Sequence, residues 1–434
     1  MINRRKYLLF SVILISCMGI TACGKKVGGD LEATEVGNWN QVAPTKDMDS
    51  FYDNPQDVII SIDDEDEIKV DVEISKDNNS EEEISEPETA EKATASILMV
   101  GDMLLHAAVS ESGIKDDGTY NYDHFFKYVK DDISAADMAI VNQEVILGGA
   151  ELGISGYPTF NSVYEVADAV ANAGFDVVLH ATNHTLDKGM KGFNNCMNYW
   201  KETYPEISVT GANQSQEEQD TICVRNVNGI DVAILNYTYG TNGIPLPSDK
   251  PYVVNLLDEE KIRKDVAKAK EVAEFVMVCP HWGTEYVLEE TAEQKKWVEL
   301  FLELEVDLVI GTHPHVIEPV KWHESESGHK MLVYYSLGNF INSTGSTQKN
   351  VGWRYVGAMA KVEIERDENG EVYIKSYDAD PLVTHVESGF GNVTTFKLED
   401  YSDEMAKKSK AKQKQSDFSI EYCEKLWEKV FGDL

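Results

Sequence analysis

The chain has 434 residues, 42% of them hydrophobic, which is enough for one large folded domain or two ordinary ones. Its formal net charge is −37, and a surface this acidic repels nucleic acid and anionic lipid head groups, so we expect no nucleic-acid partner. The six cysteines include no CxxC pair, which argues against a zinc ribbon or a dense disulfide framework. One or two disulfides and buried free thiols both remain open.

The first 22 residues have the pattern of a secretory signal peptide. A basic start, MINRRK, precedes an apolar stretch from Tyr7 to Ile20 that is too short and wrongly flanked for a membrane span. The ITAC that follows resembles a bacterial lipobox, which implies cleavage before Cys23 and lipidation of its thiol. An uncleaved anchor and an ordinary signal cut at A-x-A-like residues are the alternatives. We therefore expect an extracytoplasmic protein that is lipid-anchored to the bacterial cell membrane.

Residues 23–94 are predicted to form a disordered acidic tether. Residues 61–92 alone contain 14 acidic side chains against 3 lysines, with too little apolar surface to offset the entropy of ordering. Short strands at residues 58–60 and 68–74 are the alternative. A tether of this length would hold a folded domain away from the membrane.

From residue 95 onward, short apolar runs alternate with segments of helical periodicity. We predict helices at residues 162–173, 259–273 and 293–304. Strands are predicted at residues 97–100, 138–141, 176–179, 232–237, 275–278, 307–310 and 331–336. Apolar strands that alternate with amphipathic helices indicate the α/β class, with a largely parallel sheet covered on both faces.

The pattern changes in the last part of the chain. Residues 359–365 and 372–375 alternate with period two around Asn369-Gly370, which predicts a hairpin, and residues 403–431 are predicted to be helical. We expect residues 346–434 to complete a domain whose main part is residues 95–345.

Polar side chains follow five of the predicted strands at the point where each strand ends. Because the carboxyl ends of parallel strands lie at one edge of a sheet, these side chains should meet in a crevice there. In chain order they are Asp102, His106, Asn142, Glu144, Asn183, His184, Asp187, His281, Glu285, His313 and His315.

These residue types predict a metal centre. Imidazole, carboxylate and amide oxygen together suit divalent zinc, manganese or iron. Six donors exceed the needs of one tetrahedral zinc, so we predict two ions, which polarise an acyl or phosphoryl oxygen. The predicted ligands are Asp102, Glu144, Asn183, His281, His313 and His315, with His106, Asn142, Glu285 and Asn339 as further candidates for the site.

Each of these residues also has a structural alternative. Asp102 and Asp187 could cap the helices that follow them, and His281 could be an ordinary histidine at a strand end. The H-x-H of His313 and His315 favours metal, because alternate residues of an extended chain point the same way.

Six sequence blocks over residues 97–341 resemble a known family. GDMLLH, VNQEVIL, ATNHTLDKG, HWGTEY, GTHPHVIEPV and YYSLGNF, in this order, are similar to the CapA family of bacterial capsule synthesis, also called the poly-γ-glutamate biosynthesis family. That family is similar in fold to the calcineurin-like metallophosphoesterases. The resemblance therefore implies a metallophosphoesterase-like, four-layer α/β/β/α sandwich of two mixed sheets.

The resemblance also implies roles for individual residues. Asn183 would bind metal through its amide oxygen, and His184 would protonate the leaving group while Asp187 orients it. The metal ligands implied are Asp102, Asn183, His281, His313 and His315. Leu104 departs from the phosphoesterase pattern, which has a histidine there, and the usual bridging aspartate motif is absent, so Asn142 or Glu144 would have to bridge.

Two main functions are expected. The first is a tethered metal-dependent hydrolase or transferase that acts on poly-γ-glutamate or a related anionic cell-envelope polymer. The alternative is a non-catalytic factor for polymer export, or a scaffold, with a vestigial metal site. The resemblance also implies subunits of a capsule-synthesis complex as partners. A simple extracellular phosphatase is a third hypothesis.

Overall fold

The computed structural model describes residues 90–344, 349–387, 393–432 and 434. Every described residue belongs to one compact unit, Glu82–Leu434. The predicted signal peptide, the lipidation site Cys23 and the tether up to residue 89 lie outside the described residues. No helix in the described ranges is long and apolar enough to span a membrane.

The strands occur throughout the described ranges. In chain order they are β1 (Ala93–Leu104), β2 (Met138–Asn142), β3 (Val177–Leu179), β4 (Ser208–Thr210), β5 (Cys223–Val227), β6 (Ile230–Thr238), β7 (Phe275–His281), β8 (Leu308–Ile310), β9 (Ile317–Glu324), β10 (Lys330–Leu337), β11 (Asn339–Asn342), β12 (Val356–Arg366), β13 (Val372–His385) and β14 (Thr394–Lys397).

The helices fall mainly between the parallel strands and at the C-terminal end. They are α1 (Ala107–Glu111), α2 (Lys130–Ala135), α3 (Glu165–Ala173), α4 (Gly189–Thr203), α5 (Gln216–Asp220), α6 (Glu259–Val272), α7 (Ala292–Glu303), α8 (Asp403–Lys408), α9 (Lys410–Lys414) and α10 (Ile420–Val430).

Within the described ranges the strands form two mixed sheets. The eight-stranded sheet has the order β14-β13-β12-β1-β2-β3-β4, and β11 pairs with the end of β1. The six-stranded sheet has the order β5-β6-β7-β8-β10-β9. The single, largely parallel sheet predicted from the apolar runs is therefore wrong, because β1 to β3 lie in one sheet and β7 and β8 lie in the other. A run of apolar residues shows that a strand is buried on both sides but not which sheet it joins.

The packing of alternate side chains identifies four layers. On β1, Leu98 and Val100 pack against α3 and α4, whereas Ile97 and Met99 face the other sheet. The second sheet repeats this arrangement, with one set of β7 side chains in the core between the sheets and the other set against α6 and α7. The α/β/β/α sandwich expected from the resemblance is confirmed.

Two predicted elements differ from the structure in detail. The hairpin is present as β12 and β13, but five residues connect the strands, because Arg366 pairs with Val372. Asp367 accepts hydrogen bonds from the backbone N–H groups of Asn369 and Glu371 and so shapes this longer connection. The helix predicted at residues 403–431 is three helices, α8 to α10, since serine side chains begin each of them.

A glycine allows β1 to approach the β10–β11 connection. A Cβ atom on Gly101 would lie 1.9 Å from the carbonyl oxygen of Gly338. This close contact lets the Asp102 N–H donate to the same carbonyl over 2.9 Å, and Asp102 is then paired with Asn339 of β11. The dipeptides Gly101-Asp102 and Gly338-Asn339, which are far apart in sequence, thus become neighbours at the end of the first sheet.

Candidate metal centre

The carboxylate of Glu144 lies at the centre of a group of histidines. Its Oε1 atom is 3.8 Å from Nε2 of His281, 3.6 Å from Nε2 of His315 and 4.0 Å from Nε2 of His184. Glu144 follows β2, His281 ends β7, and the other two histidines lie in loops after β8 and β3. The ends of strands from both sheets therefore meet at one place.

Asp102 and Asn142 form a second part of the cluster. The Nδ2 of Asn142 donates to Oδ1 of Asp102 over 2.8 Å. The other oxygen of Asp102 accepts the backbone N–H of His313 at 3.2 Å and lies 3.1 Å from Nδ1 of His315. Asp102 does not cap α1, whose N-cap residue is His106, so the capping alternative is wrong for this residue.

Asn183 faces His281 across the site. Its Oδ1 atom lies 3.0 Å from Nε2 of His281, and the Nδ1 atom of the same imidazole lies 3.0 Å from Oγ1 of Thr312. The amide nitrogen of Asn183 donates to Oδ1 of Asn242 over 3.3 Å. The orientation of Asn183 therefore leaves its oxygen directed into the cluster.

His313 and His315 converge through an unusual backbone conformation. The φ angles are 99° for His313 and 58° for His315, so the extended backbone expected for the H-x-H is wrong. A non-glycine residue in this region costs roughly 1–2 kcal/mol. Bonds from the His313 N–H to Asp102 and from Asn339 to the His315 carbonyl hold the loop in place. The two rings are 5.7 Å apart between centroids.

His184 and Asp187 form a hydrogen-bonded pair at the edge of the cluster. Nδ1 of His184 lies 2.7 Å from Oδ2 of Asp187, which also accepts the backbone N–H of Phe160 over 2.6 Å. A carboxylate at Nδ1 favours the proton on that nitrogen and leaves Nε2 directed towards Glu144. Asp187 does not cap α4, whose N-cap residue is Lys188, so this capping alternative is also wrong.

Several buried polar atoms of the cluster have no hydrogen-bond partner among the described residues. They are both carboxylate oxygens of Glu144, Oδ1 of Asn142 and Nδ1 of His313. Buried polar groups without partners cost about 1–3 kcal/mol each, and native proteins rarely contain several together. A divalent cation would satisfy such a set of oxygen and imidazole donors. The ligand atoms of Glu144, His313 and His315 all lie within 4.8 Å of one another, so these residues fit a metal ion.

The pKa values of these groups are far from ordinary. Burial raises the pKa of Glu144 well above its usual value, against the opposing effect of His315. Burial, together with neighbouring histidines, lowers the pKa of His281 and of His313 well below the usual range. Burial alone would lower the pKa of His315, but Glu144 and Asp102 raise it to about 9. Burial thus keeps His281 and His313 neutral, whereas His315 is a cation beside the carboxyl groups of Glu144 and Asp102.

The remaining predicted residues lie around the cluster. Burial lowers the pKa of His106 to about 4, and its ring packs 5.2 Å from that of Phe160 in the cleft wall. Glu285 is exposed at the cleft, and Asn339 places its Oδ1 atom 3.1 Å from Nδ1 of His315. His106 and Glu285 lie outside the compact ligand group formed by Glu144, His313 and His315.

Other residues of the site escaped the sequence analysis. Asn242 lies in the loop after β6, where it accepts from Asn183 and from the Tyr239 hydroxyl, and its Nδ2 is 3.4 Å from Nδ1 of His184. Its Asn-Gly sequence indicated only a turn. Tyr286, the last residue of the HWGTEY block, and Arg354, which belongs to none of the blocks, both lie in the cleft wall.

The cluster lies at the base of a cleft of about 900 Å³. His184, Asp187 and His315 line this cleft together with Asn183, and the loop that contains Tyr157 and Phe160 forms another wall. The cleft is large enough to hold one or two units of a polymer beside the cluster.

The four cysteines in the described ranges, Cys196, Cys223, Cys279 and Cys423, are free thiols. Three of them are buried. The sequence left open whether these cysteines form disulfides or stay free, and the structure shows free thiols.

Comparison with known proteins agrees with the resemblance to the capsule-synthesis family. A family model described as bacterial capsule synthesis protein PGA_cap matches residues 96–344, more than half of the chain. The chain is 27% identical over 271 residues to the capsule biosynthesis protein CapA of Bacillus anthracis, covering 59% of this chain and 62% of that protein. It is also 27% identical over 186 residues to the PGA biosynthesis protein CapA of Bacillus subtilis strain 168, covering 42% and 47%. The match therefore spans less than two thirds of either relative.

A solved structure with a similar arrangement is the NAD nucleotidase of Haemophilus influenzae. The TM-score is 0.40 at 12% sequence identity, covering 78% of this chain and 60% of that chain.

Proposed function

Because the chain belongs to the bacterial capsule synthesis family PGA_cap, we propose that it is a metal-dependent hydrolase or transferase acting on an anionic cell-envelope polymer. The substrate class comes from the named relatives, one of which is a PGA biosynthesis protein. The observation that carries the proposal is the buried carboxylate of Glu144, which has three imidazoles within 4.0 Å and no hydrogen-bond partner among the described residues.

The cluster contains enough donors for two divalent ions of manganese, zinc or iron. The ligands proposed are Asp102, Glu144, Asn183, His281, His313 and His315, with Asn142 beside them. Bound ions would polarise an acyl or phosphoryl oxygen and activate a water molecule. Glu144 faces three histidines at once, which suits the bridging position that the sequence left open between Asn142 and Glu144.

His184 is placed to transfer a proton. Asp187 holds its Nδ1 atom at 2.7 Å, so Nε2 is the nitrogen available to a substrate in the cleft. In the imidazolium form, Nε2 would donate its proton to the leaving oxygen or nitrogen, and the Asp187 carboxylate would stabilise the positive charge. Phe160 packs edge-on against the ring at 4.6 Å and limits its rotation.

The proposal includes a location outside the cytoplasm. Lipidation of Cys23 would anchor the chain, and the acidic segment that follows would separate the catalytic domain from the membrane. Subunits of a capsule-synthesis complex are the proposed partners, by analogy with the relatives named for capsule biosynthesis.

One departure favours the non-catalytic alternative, an export or scaffold factor with a vestigial site. Leu104 lines the cleft where the phosphoesterase pattern has a histidine. A protein of this kind would bind metal or polymer without turnover.

The function is tested by measuring metal content and turnover on the same samples. The full chain, purified and loaded with manganese, should contain bound metal and should shorten γ-linked polyglutamate or hydrolyse a phosphoester. His281→Ala should lose both metal and turnover, because it removes an imidazole that faces Glu144 and Asn183. His323→Ala is the matched control, since His323 lies on β9 and hydrogen-bonds with the Tyr335 hydroxyl outside the cleft.

The outcomes separate the two functions. Metal binding without turnover on any polymer or phosphoester would support the non-catalytic factor. Turnover that survives His281→Ala would contradict the metal centre altogether.

A further inference from the structure

One wall of the cleft contains a cation that no sequence motif indicated. Arg354 is only 6% exposed, yet it lines the cleft together with His106, His184 and His315. It is the one lysine or arginine among the described residues that form this cleft. In a chain with a net charge of −37, such a residue offers a cationic group to an anion beside the candidate metal centre.

The guanidinium of Arg354 is held in a defined orientation. Its central carbon lies 3.3 Å from the centroid of the Tyr286 ring, and its Nη1 atom donates to Oγ1 of Thr344 over 3.3 Å. A guanidinium stacked on an aromatic ring directs its N–H groups sideways in its own plane. This geometry suits two parallel hydrogen bonds to the oxygens of a carboxylate or phosphoryl group.

One side chain connects Arg354 to the metal centre. The Nδ2 atom of Asn339 donates to the Arg354 carbonyl over 2.9 Å and to the His315 carbonyl over 3.1 Å. The Oδ1 atom of the same amide lies 3.1 Å from Nδ1 of His315. The backbone that carries Arg354 and the imidazole of His315 are thus fixed relative to each other, as a site that binds two parts of one molecule requires.

The guanidinium of Arg354 is largely buried, and the carboxylate of Glu285 acts on it through space. Burial lowers the pKa of its guanidinium, and Tyr286 and Glu285 oppose that effect. Arginine nevertheless stays charged in proteins. A partly desolvated cation attracts an anion more strongly than a cation in open water does.

We propose that Arg354 is the anion-recognition residue of the cleft, binding a carboxylate or phosphoryl group of the substrate while the neighbouring group lies at the metal centre. The inference deepens the proposed function, and rests on it, by naming the chemical group that selects the substrate. Poly-γ-glutamate would supply a carboxylate on every unit, whereas a phosphorylated polymer would supply a phosphoryl group.

The test measures binding rather than turnover. Affinities of the full chain for a short γ-linked oligoglutamate and for inorganic phosphate are compared with those of Arg354→Gln, with manganese and again with a chelator. Loss of a charge-assisted pair should weaken binding of at least one anion roughly 10- to 100-fold, with or without metal. Arg354→Lys should recover only part of this loss, because lysine lacks the planar fork.

Arg263→Gln is the matched control. Arg263 is paired with Glu259 and Glu303 on exposed helices, so its removal changes the net charge equally without touching the cleft. Tyr286→Leu keeps the charge of Arg354 but removes the stacking, and it should give a smaller loss of affinity.

The outcomes distinguish this inference from the proposed function. Selective loss of oligoglutamate or phosphate binding in Arg354→Gln supports the inference even if the wild-type chain shows no turnover, and the ligand affected identifies the group. Equal affinities in wild type and Arg354→Gln, equal losses in Arg263→Gln, or no binding of either anion to the wild type would each overturn it. A thermal midpoint measured for every variant shows that each one is folded.

Discussion

Two buried glutamates show what distinguishes a candidate metal site from an ordinary buried acid. Glu144 and Glu318 are both 0% exposed, and burial raises the pKa of both, to about 8 for Glu318. One oxygen of Glu318 accepts a hydrogen bond from Nε2 of Gln294 over 2.6 Å. Neither oxygen of Glu144 has a hydrogen-bond partner among the described residues, and its Oε1 atom faces three imidazoles. Burial therefore keeps Glu318 neutral even though the bond from Gln294 favours its ionised form, whereas Glu144 is suited to a cation. Burial alone does not identify a site; the neighbouring donors do.

The largest effect on metal content should come from replacing Glu144 by glutamine, with the same replacement at Glu318 as the control. Glu144→Gln removes the negative charge at the centre of the cluster, so bound metal should fall to background and turnover should disappear. Glu318→Gln should leave both unchanged. Elemental analysis of the two variants tests the comparison directly, and equal metal content in both would contradict the role given to Glu144.

Asp187 combines features of both glutamates, because it lies in the cleft but has hydrogen-bond partners. Asp187→Asn should lower turnover by roughly 10²–10⁴-fold, since the imidazole of His184 loses the group that sets its tautomer and charge. Metal content should stay at the wild-type value, because Asp187 bonds to His184 and Phe160 rather than to the ligand cluster. Loss of metal in this variant would instead place Asp187 among the ligands.

A smaller effect is expected on stability. The folded-state pKa of Glu318 is about 8, above the unfolded value near 4.5, so the folded state holds a proton that the unfolded state releases between these values. The stability from Glu318 is therefore complete below about pH 4.5 and decreases as pH rises towards 8, by at most about 1.4 kcal/mol per pH unit.

Glu318→Gln should remove this decrease. The free energy of unfolding of the variant should exceed that of the wild type at pH 8 by about 4 kcal/mol and should converge with it below about pH 4.5. Denaturant unfolding at a series of pH values measures the difference. Parallel pH profiles for the two proteins would show that Glu318 is already ionised in the folded state.

Much of the fold could be predicted because it depends on buried apolar runs. Each of the seven predicted strands corresponds to a strand in the structure, β1 and β7 extending beyond the prediction. Two of the strands that were missed, β4 and β9, are partly exposed and lack a continuous apolar run. The division into two sheets followed only from the resemblance, since it depends on contacts between residues far apart in sequence.

The candidate site was predictable only where polar residues directly follow strands. Asp102, Glu144, Asn183 and His281 were found in this way, and the structure brings them together. His180 follows β3 in the same way, but its Nε2 atom accepts from the indole of Trp200 on the helical side of the sheet. Position after a strand brings a residue to the edge, but side-chain direction decides whether it enters the site. Arg354 could not be predicted, because a 3-10 helix outside any motif positions it.

The pairing of β1 has a consequence for how the chain folds. β1 bonds to β2 on one side and, through eight residue pairs from Ala93↔Arg366 to Val100↔Met359, to β12 on the other. The first described strand thus acquires its neighbour β12 only after more than 250 further residues have been synthesised. Contacts of such high sequence separation slow folding, and until they form β1 presents an open apolar edge that favours aggregation. A shortened chain ending at residue 344 would keep that edge permanently, so the segment matched by the family is not by itself a sound unit for expression.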